Sequence, residues 1–301
     1  MIVPHPIPYQ GSKRGLSRTI LAYFPDGTDR LLEPFAGSAA VSLAAAYYGK
    51  AKRFVLNDIN APLMCLWDSV INTPDTIASQ YKVLWEAQRG REREYYDIVR
   101  DEFNRTHSPD CFLYLLARCV KASVRYNPRG EFNQSPDNRR KGAHPKGMTQ
   151  RIVGASRLLR GKTLLLCADY RDVLASAMPG DLVYMDPPYQ GVCGGRDARY
   201  VGQFSHDSFS EALSDLDGRG VYYVVSYDGR HGLKTYGEPL PSCLDLTRIE
   251  IEAGRSSQAT LLGRDAKTFE SLYLSPALSR RLHKPPEAFS ITSGKQSSFW
   301  S

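Results

Sequence analysis

The sequence predicts an α/β fold, an open and mostly parallel sheet interrupted by a helical insertion. Three observations carry that expectation. Short apolar runs end in an acid at Glu33, Asp58, Asp169 and Asp186. The first two runs are joined by a small-residue loop and an apolar helical stretch, the pattern of a βαβ unit. Residues 61–160, which separate them from the later runs, read as helices followed by a basic segment rich in turn residues.

The chain opens with Pro8-Tyr9-Gln10-Gly11-Ser12-Lys13, followed by Leu16, Ile20, Tyr23 and Phe24 at helical spacing. Gly11 and Ser12 are expected to form a turn and an N-cap, and Pro25-Asp26-Gly27 to end the helix. A helix N-terminus beside Lys13 would attract a carboxylate or a phosphate. The first strand runs from Arg30 to Glu33, and Pro34-Phe35-Ala36-Gly37-Ser38-Ala39-Ala40 forms a small-residue loop after it. A helix through Val41, Leu43, Ala44 and Tyr47 follows, with Gly49 as its cap. A second strand, Arg53 to Asn57, ends at Asp58, where a carboxylate can accept both hydroxyls of a ribose. The loop is not G-x-G-x-x-G, so a dinucleotide fingerprint is poorly supported, and a plain buried βαβ unit is the competing reading.

Asn60 to Phe112 reads as helical, with Pro62, Pro74 and Pro109 as breakers. Leu63, Leu66, Trp67 and Val70 form an apolar stripe that belongs to a core, and Glu86 to Arg105 is a solvated face of mixed charge. Phe112 to Val124 is expected to be one more helix, running into the turn-rich segment Arg125 to Asn133. Ser135 to Gly147 is polar, basic and rich in Pro and Gly; it is expected to be mobile and to order on binding. Strand character resumes with a buried strand, Thr163 to Cys167, then Leu182 to Met185. Helix Asp207 to Leu216, strand Val221 to Ser226, and an antiparallel pair, Leu244 to Ile251 with Ser271 to Leu274, complete the sheet. The tail from Lys284 is Pro/Ser-rich and expected to be poorly ordered.

Composition narrows the class of protein. With 301 residues, 42% hydrophobic and 24% charged, the chain can bury one large core or two smaller ones. No apolar run approaches the roughly 18–20 residues of a membrane span. Met1 to Gln10 holds three prolines and no signal-peptide pattern. The six cysteines lack C-x-x-C pairs, which disfavours zinc and disulfide frameworks and fits a reducing cytoplasm. Cys193 has no neighbour in sequence that would obviously activate it. The net charge is +7, but from Arg118 to Lys162 twelve basic residues face only Glu131 and Asp137. The positive charge is therefore local, as a footprint for phosphates should be.

The most informative stretch is Leu182-Val183-Tyr184-Met185-Asp186-Pro187-Pro188-Tyr189. The two prolines remove backbone donors and hold Asp186 and Pro187 extended. The Asp186 carboxylate and the nearby carbonyls then form an acceptor cluster at a strand end, with the Tyr189 ring beside it. Such a site suits a planar ligand carrying an exocyclic amino group. An ordinary Pro-Pro turn is the competing reading.

Taken together, these residues resemble the Dam-like group of DNA adenine-N6 methyltransferases, over roughly residues 7–275. Asp186-Pro187-Pro188-Tyr189 is similar to the family's catalytic D-P-P-Y, and Glu33 to Ala39 to its E-P-F-x-G-x-G cofactor loop. Tyr9 to Lys13 resembles its W-x-G-G-K motif, and Arg125 to Asn133 its R-x-N-x-x-G-x-F-N segment. Ser12 and Ala39 stand where the family has glycine, and Lys121-Ala122 where it has Asn-Gly. The resemblance implies a Rossmann-like class I methyltransferase sheet with helices on both faces. It implies a catalytic domain of residues 1–60 and 161–283, an inserted target-recognition domain of 61–160, and a tail of 284–301.

The implied cofactor is S-adenosylmethionine. By the resemblance it is bound by Tyr9, Lys13, Glu33, Phe35, Ala36, Gly37, Asp58, Asp169, Tyr170 and Asp186. Catalysis is assigned to Asp186, Pro187 and Tyr189, with no metal. Lys121, Arg125, Asn127, Arg129, Asn133, Arg139, Arg140 and Lys141 are the candidate contacts to double-stranded DNA. The implied protein is cytoplasmic, encoded by a bacterium, archaeon or phage, and acts as a monomer on DNA, with a companion restriction endonuclease as one partner class. The alternatives are the same chemistry on cytosine N4 or on adenine in RNA, a DNA-binding relative without catalysis, and a nucleotide-dependent oxidoreductase.

Overall fold

Alternation along the central strands sends neighbouring residues to opposite faces of one sheet. In the computed structural model, which describes residues 2–188, 205–231, 234–236, 239–255 and 267–282, these strands are β1 (Thr28–Glu33), β2 (Ala51–Asn57), β3 (Thr163–Leu166), β4 (Leu182–Met185), β5 (Tyr222–His231), β6 (Lys234–Tyr236), β7 (Thr247–Arg255) and β8 (Lys267–Leu274). Leu31, Phe54, Leu182 and Val224 enter one core, while Leu32, Val55, Val183 and Val225 enter the other. The strand order is β3-β2-β1-β4-β5-β8-β7, with β6 paired to β5. The first five strands are parallel, and β8 is antiparallel to both β5 and β7. This is the expected Rossmann-like sheet. The order in which strands are added to the sheet reverses between β1 and β4, so a crevice opens at their carboxyl ends.

Helices cover both faces. The first face carries α1 (Ser17–Ile20), α2 (Ala40–Tyr47), α3 (Ala61–Asn72), α4 (Pro74–Ala87), α5 (Glu92–Thr106), α6 (Pro109–Arg118) and α7 (Pro145–Leu159), whose apolar residues share one continuous core with the sheet. The second face carries α8 (Tyr170–Ala175) and α9 (His206–Gly218), packed through Val173, Leu174, Phe209, Leu213 and Leu216. A last helix, α10 (Pro276–Arg281), is capped by the Ser275 side chain. None of the described helices is long and apolar enough to cross a membrane.

Several local expectations are corrected. The N-terminal helix is a series of short turns, Lys13–Gly15, Ser17–Ile20 and Leu21–Tyr23. Ser12 makes no side-chain cap; its hydroxyl instead accepts from Ser38 Oγ at 2.7 Å. Pro62, Pro74 and Pro109 begin helices α3, α4 and α6 rather than break one, because the first turn needs no proline N–H. The helix expected to reach Val124 stops at Arg118, since Cys119 is extended and Lys121 and Ala122 have φ of 59° and 50°. β3 is not a buried strand but the sheet edge, with Leu164 exposed.

The segment expected to be mobile is fastened to the helices. Gln88 Nε2 donates to Lys141 O at 2.9 Å and Tyr81 Oη to Ala143 O at 2.7 Å, and Tyr96 Oη donates to Gln134 O, just before the segment, at 2.8 Å. The Asp137 N–H also donates to Arg118 O at 2.8 Å. Each of these buried helix side chains thus meets a backbone carbonyl, as buried polar groups must. Arg118, counted in the basic footprint, is itself 1% exposed and donates to Glu92 O at 3.1 Å. Tyr189, Cys193 and the tail from Lys284 lie outside the described residues.

Candidate active site

The carboxyl ends of β1, β2, β3 and β4 hold the four acids that the sequence singled out. β4 delivers Asp186 to the middle of the sheet, and Pro187 and Pro188 follow without regular structure. Lys13, only 5% exposed, reaches across from the N-terminal turn and donates to both Asp186 oxygens at 2.8 Å. Lys13 Nζ also donates to Gly11 O at 3.3 Å and lies 3.7 Å from Glu270 Oε2 on β8. Burial pushes the Asp186 carboxyl up, and the Lys13 ammonium pulls it down. Burial pulls the Lys13 ammonium down, but Asp186 and Glu270 together outweigh it and hold the lysine above its ordinary value.

Glu33 ends β1 inside the protein at 3% exposure. Burial pushes its carboxyl up to about 8, against the pull of the start of α2 at Val41 and Ser42. Asp58, after β2, accepts from the Gly37 N–H and the Asn60 N–H at 3.0 Å each. Both its oxygens are thereby oriented, and each retains a lone pair for a hydroxyl donor. Burial pushes the Asp58 carboxyl up, and the two N–H groups oppose that shift.

The loop after β1 runs close to its neighbours. Gly37 has φ of 48°, and a Cβ there would meet the Tyr9 ring at 3.2 Å, so only glycine lets the two approach. Gly37 O accepts from Trp67 Nε1 at 2.9 Å. Ala36 contributes its N–H to Asn57 O at 2.7 Å. Ala39 takes φ of 45°, ψ of 38°, so the alanine keeps a left-handed backbone that suits glycine.

Phe35 and Tyr170 pack at 5.1 Å between ring centroids, and Phe209 meets both edge-on. These rings form an aromatic wall beside the strand ends. Asp169 caps α8 and pairs with Arg171, its oxygens accepting from Nε and Nη2 at 2.9 Å. That pair holds the Asp169 carboxyl below its ordinary value.

Sequence reasoning missed Asn57. Its Nδ2 donates to Pro34 O at 2.9 Å and Ala168 O at 3.0 Å, and its Oδ1 accepts from the Ala168 N–H at 2.9 Å. One strand-end amide thus ties together the loops after β1, β2 and β3. The signal was a strand whose apolar half, Phe54 to Leu56, ends in Asn immediately before the acid. Trp67 was read as core only, and Glu270 was not singled out because no motif frames it.

The candidate DNA contacts cluster away from this crevice. Arg125 to Asn133 forms a hairpin, with Asn127 N–H donating to Glu131 O at 2.8 Å and Asn133 N–H to Arg125 O at 3.0 Å. Asn127 spends its side chain on that turn: Oδ1 accepts from the Arg129 and Glu131 N–H groups, and Nδ2 donates to Glu131 Oε2 at 2.7 Å. Lys121, Arg125, Arg129 and Asn133 are exposed around it. A groove of about 650 Å3 runs between the hairpin and α5, lined by Arg100, Arg105, Arg129 and Asn133 among others. Arg139 and Arg140 both pair with buried Asp137, and Lys141 pairs with Glu92, all three cations being exposed. The hairpin is joined to the crevice by the hydrogen bond from Tyr126 Oη to Asn60 Oδ1 and by the Gln10 N–H to Ala122 O.

The family of D12 class N6 adenine-specific DNA methyltransferases matches residues 9–285. The DNA N-6-adenine-methyltransferase of Escherichia phage P1 is 30% identical over 241 residues, covering 75% of this chain and 30% of that protein. The DNA adenine methylase of Serratia marcescens is 32% identical, covering 60% of this chain and 65% of its own length. The retron Ec67 DNA adenine methylase of Escherichia coli is also 32% identical, covering 62% and 64%. The chain thus spans less than a third of the phage protein and just under two thirds of the other two. A solved rRNA methylase of Streptococcus thermophilus covers 86% of this chain and 94% of that one at 8% identity, with a TM-score of 0.35, too distant to bear on the argument. With its motifs in family order and the family matched along nearly all of its length, this chain belongs to the D12 class of N6 adenine-specific DNA methyltransferases.

Proposed function

We propose that this protein transfers the methyl group of S-adenosylmethionine to the N6 amino group of an adenine turned out of duplex DNA, at specific sites. The observation that carries the reading is Asp186: a carboxylate at the carboxyl end of a central strand, anchored by Lys13 and followed by two prolines. An aryl amine is a poor nucleophile because its lone pair is delocalised into the ring. Asp186 and the Pro187 carbonyl accept the two amino N–H groups and localise the lone pair. S-adenosylmethionine supplies a methyl group on a sulfonium, which departs as a neutral thioether. The nitrogen lone pair forms the new C–N bond, and positive charge develops at nitrogen beside Asp186, which stabilises it. Asp186 then receives the surplus proton and releases it to solvent. In this reading Tyr189, outside the described residues, stacks on the base.

The donor fits the residues at hand. Asp58 offers two oriented oxygens for ribose hydroxyls, and Phe35 and Tyr170 offer ring faces for an adenine. Gly37 lets the backbone come close beneath Tyr9. Residues 61–160 act as the recognition unit, and their exposed cations engage phosphates while the base is extruded.

The test is transfer from tritiated S-adenosylmethionine to duplex DNA, followed by digestion to nucleosides and chromatography. Label in N6-methyldeoxyadenosine is expected. Label confined to N4-methylcytosine or to an RNA substrate would replace the reading, and absence of transfer with intact DNA binding would indicate a relative without catalysis.

A further inference from the structure

In the arrangement described, Asp186 cannot act at full strength, and the reason is Lys13. The ammonium lies 2.8 Å from each carboxylate oxygen, so the pair is close to neutral to an approaching group. Methyl transfer carries one positive charge from sulfur to nitrogen. A second cation held on the acceptor would oppose that charge and weaken the hydrogen bonds to the amine.

Lys13 has a second carboxylate within reach. Glu270, half-buried on β8, places Oε2 3.7 Å from Nζ. Rotation about the terminal bonds of the lysine moves Nζ between the two carboxylates without moving the backbone. Two other described titratable groups flank the pair. Tyr184 on β4 is held well above the ordinary phenol value and donates to Ser226 on β5 at 3.1 Å, and Glu33 on β1 titrates at about 8. The one Lys13 ammonium thus faces two carboxyl groups, Asp186 and Glu270.

We infer that Glu270 is a positioning residue that takes the Lys13 ammonium from Asp186 as the amine arrives, leaving Asp186 a full carboxylate acceptor. This rests on the reading of Asp186 proposed above. In Glu270→Gln the ammonium stays on Asp186, and the acceptor remains neutralised. In Glu270→Asp the second carboxylate is kept.

The test uses the full chain in single-turnover methylation of unmethylated plasmid DNA at saturating S-adenosylmethionine, over a range of pH. Glu270→Gln should slow transfer about tenfold. Its acid limb should move to lower pH, because Lys13 left on Asp186 keeps that carboxylate ionised. Cofactor affinity by calorimetry should stay within about twofold, and Glu270→Asp should recover most of the rate. Normal transfer by Glu270→Gln overturns the inference. So does an equal loss in both variants with an unmoved acid limb, which means packing alone. Asp186→Asn, run alongside, separates the two levels: its normal activity would overturn the reading of Asp186 itself, whereas its inactivity beside a normal Glu270→Gln overturns only the role of Glu270.

Discussion

Tyr126 Oη donates to Asn60 Oδ1 at 3.2 Å, and the Asn60 N–H donates to Asp58 Oδ1 at 3.0 Å. Two hydrogen bonds thus connect the hairpin of exposed cations to the carboxylate proposed to hold the ribose. Burial pushes the Tyr126 phenol up to about 12, so it remains a donor at any working pH. Tyr126→Phe removes that connection and little else. A neutral hydrogen bond contributes about 1 kcal/mol, so the enhancement of cofactor affinity by DNA should fall about fivefold. Calorimetry of S-adenosylmethionine with and without duplex DNA measures this, and unchanged enhancement would show that this hydrogen bond does not carry the coupling.

The parallel sheet was legible because its strands are short, apolar and bounded by acids, which fixes both period and direction. Asp186, Asp58 and the Gly37 loop were legible because their chemistry needs those residue types. What the sequence concealed depends on partners far along the chain. Nothing local reveals that Glu270 on β8 meets Lys13, or that Asn57 binds the loop before α8. Lys121 and Ala122 occupy left-handed backbone that Asn and Gly would favour, so helix propensity alone carried the expected helix past Arg118. The basic segment reads as disordered by composition, yet Tyr81, Gln88 and Tyr96 fasten it from helices distant in sequence.

Asp58 orients two loops and is proposed to hold the ribose, and its variants should separate the two roles. Asp58→Asn keeps one oxygen acceptor, loses the charge and turns its NH₂ toward one of the two N–H groups, so cofactor affinity should fall by about 1–2 kcal/mol and folding stability by about 1 kcal/mol. Asp58→Ala also strands the Gly37 and Asn60 N–H groups and should cost about 1–3 kcal/mol of folding stability. Calorimetry with denaturant unfolding checks both. Full cofactor affinity in Asp58→Ala would remove this residue from the donor site.

The exposed cations predict a salt signature. Replacing Arg139, Arg140 and Lys141 together with Ala should flatten the log–log dependence of DNA affinity on salt by about 2–3 units. Asp137 pairs with Arg139 and Arg140 through Nε, and Glu92 pairs with the Lys141 ammonium itself. Cofactor binding should not change. An unaltered slope would make this segment a solvated surface.

Glu33 makes stability depend on pH in a known direction. Its carboxyl is raised from about 4.5 to about 8 in the folded protein. Between those values the folded chain keeps a proton that the unfolded chain has lost, so this group's contribution is full below about 4.5 and declines until about pH 8. Glu33→Gln cannot ionise and escapes that decline. Between about pH 5 and about pH 9 its stability relative to the parent should rise by roughly 2–4 kcal/mol. Urea unfolding at the two pH values measures the difference, and a constant difference would mean that Glu33 is ionised in the folded state.

Asp186→Asn tests the proposed chemistry most directly. The amide matches the carboxylate in size and keeps one oxygen acceptor, but it carries no charge and can present its NH₂ to the amine, donor against donor. Removing one preorganised electrostatic partner should slow single-turnover transfer about 10²–10³-fold. DNA binding should survive, because the exposed cations lie on the hairpin and the segment after it. The same variant leaves Lys13 one neutral oxygen in place of a charged pair at 2.8 Å, so the ammonium should shift toward Glu270 and cofactor affinity should change with it. Saturating cofactor therefore has to be established before rates are compared. Transfer at the parent rate under those conditions would return Asp186-Pro187-Pro188 to the status of a turn after a strand.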